Sequence, residues 1–268
     1  MIRAPERWSD AGEYERYVGR WSRLVAREFL GWIAVSWRQR WIDVGCGTGA
    51  LSQTILSRCQ PAELLGVDRS VPYAAAAAHS TSNASPARFA AANAQALPVA
   101  SERFDAAVSA LMLNFVPDPV AVMREMMRVV RPGGTVALYV WDYAGRMEMM
   151  RHFWDAAATI DPASRAADEG RRFPICAPDA LEPAAIAAGL GDVACSAIDV
   201  PTEFRDFDDY WTPFLSGEGP APGFCRSLDD TRRARLREAL LERLPILPDG
   251  TISLIARAWA VRGKRTSA

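Results

Sequence analysis

Trp41-Ile42-Asp43-Val44-Gly45-Cys46-Gly47-Thr48-Gly49 is the stretch on which the fold of this chain turns. A short apolar burst carrying one acid stops at three alternating glycines, and a stretch of helical character, Ala50 to Cys59, follows. That order predicts a strand, a tight loop and a helix. Glycine allows the backbone to turn sharply and to come close to a ligand. The helix start beyond it offers unpaired N–H groups and a partial positive charge, which suit a phosphate or a carboxylate.

Downstream, Leu64-Leu65-Gly66-Val67 is a second apolar burst, closed by Asp68, and an alanine-rich helix is expected from Val71 to His79. Arg88-Phe89-Ala90-Ala91 reads as a third strand and Phe104 to Ser109 as a fourth. Pro119 to Val130 has helical spacing, and Thr135 to Trp141 reads as a fifth strand entered through Arg131-Pro132-Gly133-Gly134. Strands alternating with helices predict βαβ units and a parallel sheet covered on both faces. Upstream, Tyr14, Tyr17, Val18, Trp21, Leu24, Val25 and Phe29 recur at helical spacing, so Tyr14 to Leu30 is expected as an amphipathic helix. After Trp141 the alternation breaks down. Asp142 to Pro178 reads as helical and irregular, Ala180 to Leu190 as a helix ended by Gly191, and Val193 to Val200 as a strand. Phe207 to Leu244 is a further helical insertion, and Thr251 to Val261 a last strand after the Pro248-Asp249-Gly250 turn.

The bulk properties narrow the partners. The chain has 268 residues, half of them hydrophobic, enough for a sizeable core. Thirty-one basic residues against 32 acidic ones give no electrostatic reason to expect nucleic acid or an anionic membrane. Arg226, Arg232, Arg233, Arg235 and Arg237 cluster, but acids lie between them, as on a solvated helix face. The five cysteines are scattered without a CxxC pair, which fits free thiols in a cytoplasmic protein and no metal. No apolar run is long enough to span a membrane.

Two ligands fit the glycine loop. Gly45, Gly47 and Ala50, with Asp68 about 20 residues on, match a dinucleotide fingerprint. Yet Asp43 leads the loop, and an acid sits poorly beside a pyrophosphate. It suits a ligand bearing both an ammonium and a carboxylate, as the methionine end of S-adenosylmethionine does. Here the chain resembles a family. Residues 41–49 look like the first motif of class I S-adenosylmethionine-dependent methyltransferases, and Leu65-Gly66-Val67-Asp68 like the second. Phe104-Asp105-Ala106-Ala107-Val108-Ser109, then Asn114-Phe115-Val116-Pro117-Asp118-Pro119, match the fourth-strand region. Arg128-Val129-Val130-Arg131-Pro132-Gly133-Gly134 matches the turn into strand five. The likeness covers about Arg40 to Trp141 and is greatest to small-molecule methyltransferases of the ubiquinone- and menaquinone-biosynthesis type.

The resemblance implies an α/β fold, a Rossmann-like sheet of seven strands in the order 3-2-1-4-5-7-6, with strand seven antiparallel. It implies one methyltransferase domain over 1–268, with a helical cap at 1–36 and a cofactor core at 37–141. Insertions 142–178 and 203–247 would form a substrate lid. S-adenosylmethionine would be held by Asp43, Gly45, Cys46, Gly47, Gly49, Asp68, Arg69, Asn93, Ala94 and Ser109, with Asp68 on the ribose hydroxyls. Asn93 stands where the family usually has an aspartate facing the adenine amino group; its carbonyl oxygen still accepts a hydrogen bond, without charge assistance. Tyr17 and Arg20 would reach the methionine carboxylate or the substrate; packing of an ordinary amphipathic helix is the alternative. The Met and aromatic cluster Trp141, Tyr143, Met147, Met149, Met150, His152, Phe153 and Trp154 is in part pocket lining or else core. Of two histidines, His152 in the lid region is the candidate base and His79 ends a helix. The activity so implied is direct in-line transfer of a methyl group to a small-molecule acceptor. An NAD-linked oxidoreductase and a non-catalytic S-adenosylmethionine-binding protein are the competing functions. The acceptor and the oligomeric state are written in none of these motifs.

Overall fold

The computed structural model describes residues 19–81, 85–216 and 219–266. Tyr17 and the start of the expected first helix lie outside them. The chain divides into two compact units. One comprises Ser22–Trp141, Ile175–Ile198 and the chain from Ala258 onward; it contains most of the sheet. The other comprises Asp142–Pro174, Asp199–Arg257 and the described residues up to Trp21.

The sheet unit follows the expected alternation. Its elements are α1 (Arg20–Ile33, from Ser22 on), β1 (Arg40–Val44), α2 (Ala50–Cys59), β2 (Glu63–Asp68) and α3 (Val71–His79). Next come β3 (Ala87–Ala91), β4 (Phe104–Ala110), α4 (Pro119–Val129) and β5 (Val130–Trp141). The seven strands stand in the order β3-β2-β1-β4-β5-β7-β6, with β6 at Leu190–Phe204 and β7 at Ile252–Arg265. The first five pair in parallel, and β7 runs antiparallel to β5. β1 reads as an apolar run because it is central: Trp41, Ile42, Asp43 and Val44 are all fully buried. In register, Asp43 faces Gly66 of β2 on one side and Val108 of β4 on the other.

Local chemistry sets the element ends. Asp118 caps α4 by accepting the Ala121 N–H at 2.9 Å, Pro119 opens the helix, and Val122, Met123, Met126 and Val129 bury its inner face. Each such side chain contributes about 1.5–3 kcal/mol on full burial. Two boundaries differ from expectation. β5 starts at Val130, because Val130 pairs with Phe104 before the register shifts to Ala106–Thr135. Gly134 sits in that irregularity, where a Cβ would come within 2.7 Å of the Asp105 carbonyl. The next helix, α7 (Pro178–Ala188), stops at Gly189, with φ 98°, and not at Gly191. The left-handed C-cap was needed one residue after the last helical turn, and Gly189 supplies it.

The second unit is helical: α5 (Glu148–Ile160), α6 (Glu169–Arg172), α8 (Phe207–Ser216), α9 (Pro220–Ser227) and α10 (Asp230–Arg243). Most of its Met and aromatic cluster is core, while Tyr143 and His152 are partly buried. Met147, Met149, Met150, Phe153 and Trp154 are all buried, and Phe153 stacks on Phe214 with centroids 4.4 Å apart. Tyr210 donates its hydroxyl to the Met149 carbonyl at 2.9 Å, and the Trp154 indole N–H bonds to Glu169. Several arginines of α10 pair with acids: Arg232 with Asp229, Arg233 with Asp230, Arg237 with Asp208. Among the described residues no helix is long and apolar enough to cross a membrane, and no group of His, Cys, Asp and Glu could hold a metal ion.

Candidate cofactor site

The glycine loop lies at the carboxyl ends of β1 and β4, where the strand order reverses. Open α/β sheets bind their ligands at such a switch point. Gly45, Gly47 and Gly49 have φ of 76°, 53° and 94°, all in the left-handed region. Side chains there are strained, which explains the spacing of the three glycines. At Gly45 space also excludes a side chain: a Cβ would lie 2.5 Å from Cγ of Met112. The loop is tied to the end of β2, since the Gly45 and Cys46 N–H groups both donate to the Val67 carbonyl, at 2.7 and 2.9 Å. Gly49 caps α2 with no side-chain hydrogen bond.

Asp68 joins the loop to the next helix. Its Oδ2 accepts the Gly47 N–H at 3.0 Å and its Oδ1 the Ser70 N–H at 2.8 Å. The Asp68 carbonyl accepts the Ala92 N–H at 2.9 Å, which ties the end of β3 to the same place. Asn93 follows there, exposed, with its Oδ1 accepting the Gln95 N–H at 3.0 Å in an Asx turn. The turn sets its orientation and leaves a second lone pair on that oxygen. Ala94 is partly buried and Arg69 exposed.

Asp43 lies beneath the loop, fully buried. Its Oδ2 accepts the Ser52 hydroxyl at 2.6 Å, while its Oδ1 has no hydrogen-bond partner. Burial pushes its pKa up to about 7, the Ser52 hydrogen bond opposes the rise, and the Asp68 charge adds to it. Burial, with Asp43 and Asp68, also pushes the Cys46 thiol up, so Cys46 stays a neutral thiol and is no nucleophile. Beyond Ser109, whose buried Oγ has no partner, Leu111 holds a left-handed φ of 57°. A non-glycine residue so placed costs about 1–3 kcal/mol and needs support from its surroundings. The Leu111 N–H bond to the Tyr139 carbonyl, 2.8 Å, is part of that support. Asn114, in the 3-10 turn Leu113–Phe115 that follows, is buried with its Nδ2 unpaired.

The sheet unit thus brings together Asp43, the glycine loop and Asp68, with Asn93 and Ala94 following β3 and Ser109 near the end of β4. Arg20 and His152 belong to the helical unit. Arg20 donates to Asp209 at 3.1 Å and stacks over Trp21 and Phe204, 4.3 and 4.7 Å from the ring centroids. His152 is half-buried, and burial and the nearby Arg243 hold its pKa below the ordinary value against Glu148 and Asp155. Sequence reasoning missed Ser52, for which a serine on the apolar face of α2, between Leu51 and Ile55, was the available signal.

Comparison with known proteins agrees with this geometry. Residues 42–138 match the family described as a methyltransferase domain. That stretch is similar to a methyltransferase domain. The matched stretch spans the glycine loop, Asp68, Asn93, Ser109 and β5 as far as Leu138. The malonyl-[acyl-carrier protein] O-methyltransferase of Pseudescherichia vulneris is 34% identical over 124 residues, 46% of this chain and 47% of that protein. The ubiquinone biosynthesis O-methyltransferase of Pseudomonas fluorescens is 37% identical over 97 residues, 35% of this chain and 41% of that protein. The chain therefore spans less than half the length of either relative. The fold is shared with phosphoethanolamine N-methyltransferase 2 of Haemonchus contortus, solved with S-adenosyl-L-methionine. The TM-score is 0.59 at 13% identity, over 97% of this chain and 58% of that one. The match to the domain centres on the sheet unit; the helical insertions fall outside it.

Proposed function

We propose that the chain is an enzyme that transfers a methyl group from S-adenosylmethionine to a small-molecule acceptor by direct in-line displacement, in the cytoplasm. The observation that carries this reading is the pair of acids at the loop, Asp43 beneath it and Asp68 beside it. A dinucleotide pyrophosphate would meet both carboxylates. An amino-acid end carrying an ammonium matches the unpaired oxygen of Asp43, and a ribose matches Asp68. The N–H groups that open α2 favour a carboxylate. Asn93 and Ala94 would face the adenine, and Ser109, Cys46 and Arg69 would border the ligand. The five free cysteines support the reducing compartment, and the near-neutral charge supports a small acceptor over a nucleic acid.

When bound, S-adenosylmethionine supplies a methyl group already activated on a sulfonium. The task left to the chain is to position the acceptor and exclude water, and fixing such geometry can be worth about 7–11 kcal/mol. A general base adds about 10²–10⁴-fold, and only where the acceptor must lose a proton. His152, whose pKa burial holds below the ordinary value, is the candidate. Glu148 and Asp155 act on it through their charge, and among the described residues no hydrogen bond orients the imidazole. We assign the choice of acceptor to residues 142–178 and 203–247. Calorimetry with S-adenosylhomocysteine and with NAD tests the ligand, and labelled methyl transfer into metabolite extracts tests the activity. Tight NAD binding without S-adenosylhomocysteine binding overturns the reading.

A further inference from the structure

Ser52 and Asp43 form a closed pair inside the sheet unit. Both are 0% exposed, and Ser52 Oγ lies 2.6 Å from Asp43 Oδ2. The other carboxyl oxygen, Oδ1, is buried and unpartnered, although buried polar atoms are nearly always paired. The strand neighbours do not serve it, since Gly66 and Val108 offer no polar side chain. The titratable groups that face Asp43 are Asp68, from the end of β2, and the Cys46 thiol, from the loop; α2 contributes Ser52 through its hydroxyl and its N–H. None of these is a cation. A second carboxylate beside Asp68 in a dry site holds its proton until a positive charge arrives.

We propose that Ser52 is a positioning residue for the ligand's ammonium group: it fixes one oxygen of Asp43, presents the other, and so makes ligand capture and proton release from Asp43 a single event. This rests on the S-adenosylmethionine reading. The ammonium takes the place left by the carboxyl proton, and the proton leaves to solvent. The free protein holds that proton up to about pH 7, so ligand affinity rises as the pH passes through that value. The Ser52 hydrogen bond favours the ionised form, which brings the change into the neutral range.

The test is calorimetry of the full chain with S-adenosylhomocysteine between pH 6 and 8, in buffers of different ionisation enthalpy. Release of about nine-tenths of a proton is expected at pH 6 and about one-tenth at pH 8, with affinity rising about tenfold between them. Ser52→Ala should move the midpoint up by about one pH unit, and Ser52→Thr should restore it. Asp43→Asn should abolish the release. If Ser52→Ala does not fold, Ser52→Cys, a much weaker donor, reads the same displacement. Binding with no proton release, or a Ser52→Ala midpoint equal to that of the wild type, overturns the inference alone. No binding at any pH overturns the cofactor reading beneath it.

Discussion

Replacing Asp68 with alanine removes a clamp and a ligand contact together. In the free protein the carboxylate joins two segments through the Gly47 and Ser70 N–H groups, at 3.0 and 2.8 Å. A hydrogen bond to a charged group contributes about 1.5–3 kcal/mol, and the partial exposure of Asp68 puts these at the lower end. On binding, the same carboxylate is assigned to the ribose hydroxyls, and loss of even one such bond corresponds to about tenfold in affinity. Asp68→Ala should therefore weaken S-adenosylhomocysteine binding at least tenfold and lower unfolding free energy by about 1–3 kcal/mol. Calorimetry measures the first and urea denaturation the second. A folded variant with unchanged affinity would falsify the ribose assignment. If stability fell and affinity held, Asp68 would be a loop clamp only.

Asn93→Leu should cost about 1–3 kcal/mol of S-adenosylhomocysteine binding, because the ligand's amino group would lose its acceptor, while Asn93→Asp should bind as tightly or more so. An unchanged calorimetric affinity for the leucine variant would place Asn93 outside the adenine site. His152→Ala should reduce turnover less than about tenfold, as expected for a group without an orienting partner; a loss beyond about a hundredfold, with the acidic limb of the pH profile gone, would make it the base. With a folded pKa below its ordinary value, His152 should also cost the folded state stability as pH falls through about 6.5. Melting curves from pH 5 to 7 should show that acid loss reduced in His152→Ala. Replacing residues 142–178 by a short linker should abolish methyl transfer and spare S-adenosylhomocysteine binding, since Asp43, the glycine loop and Asp68 lie in the sheet unit, to which the segment contributes only residues 175–178. Continued transfer to the native acceptor would sink the assignment of acceptor choice to that segment.

The parallel strands were legible because they advertise themselves, while their order was implied only by the family resemblance. Burial on both faces demands apolar runs such as 41–44 and 64–67, and ligand loops demand glycine where φ is positive. These are local requirements, and each residue type answers one of them. Strand ends were less legible. Val130 is a strand residue only because Phe104 lies beside it, and Gly189 is a cap only because the helix before it ends there. The Met and aromatic stripe of α5 could equally have lined a pocket; the rings of Phe153 and Phe214, 61 residues apart, had to be seen stacked before it became core.

The sequence by itself determined that an acid precedes three glycines and that another closes the next strand. What Asp43 does with its two oxygens was decided only by tertiary structure. Ser52 reaches one of them because α2 folds back over β1, and the other stays empty because its strand neighbours carry no polar side chain. Spacing along a chain reports which backbone a residue needs. Protonation and orientation depend on burial and on partners brought in from other elements, and those exist only once the sheet has assembled.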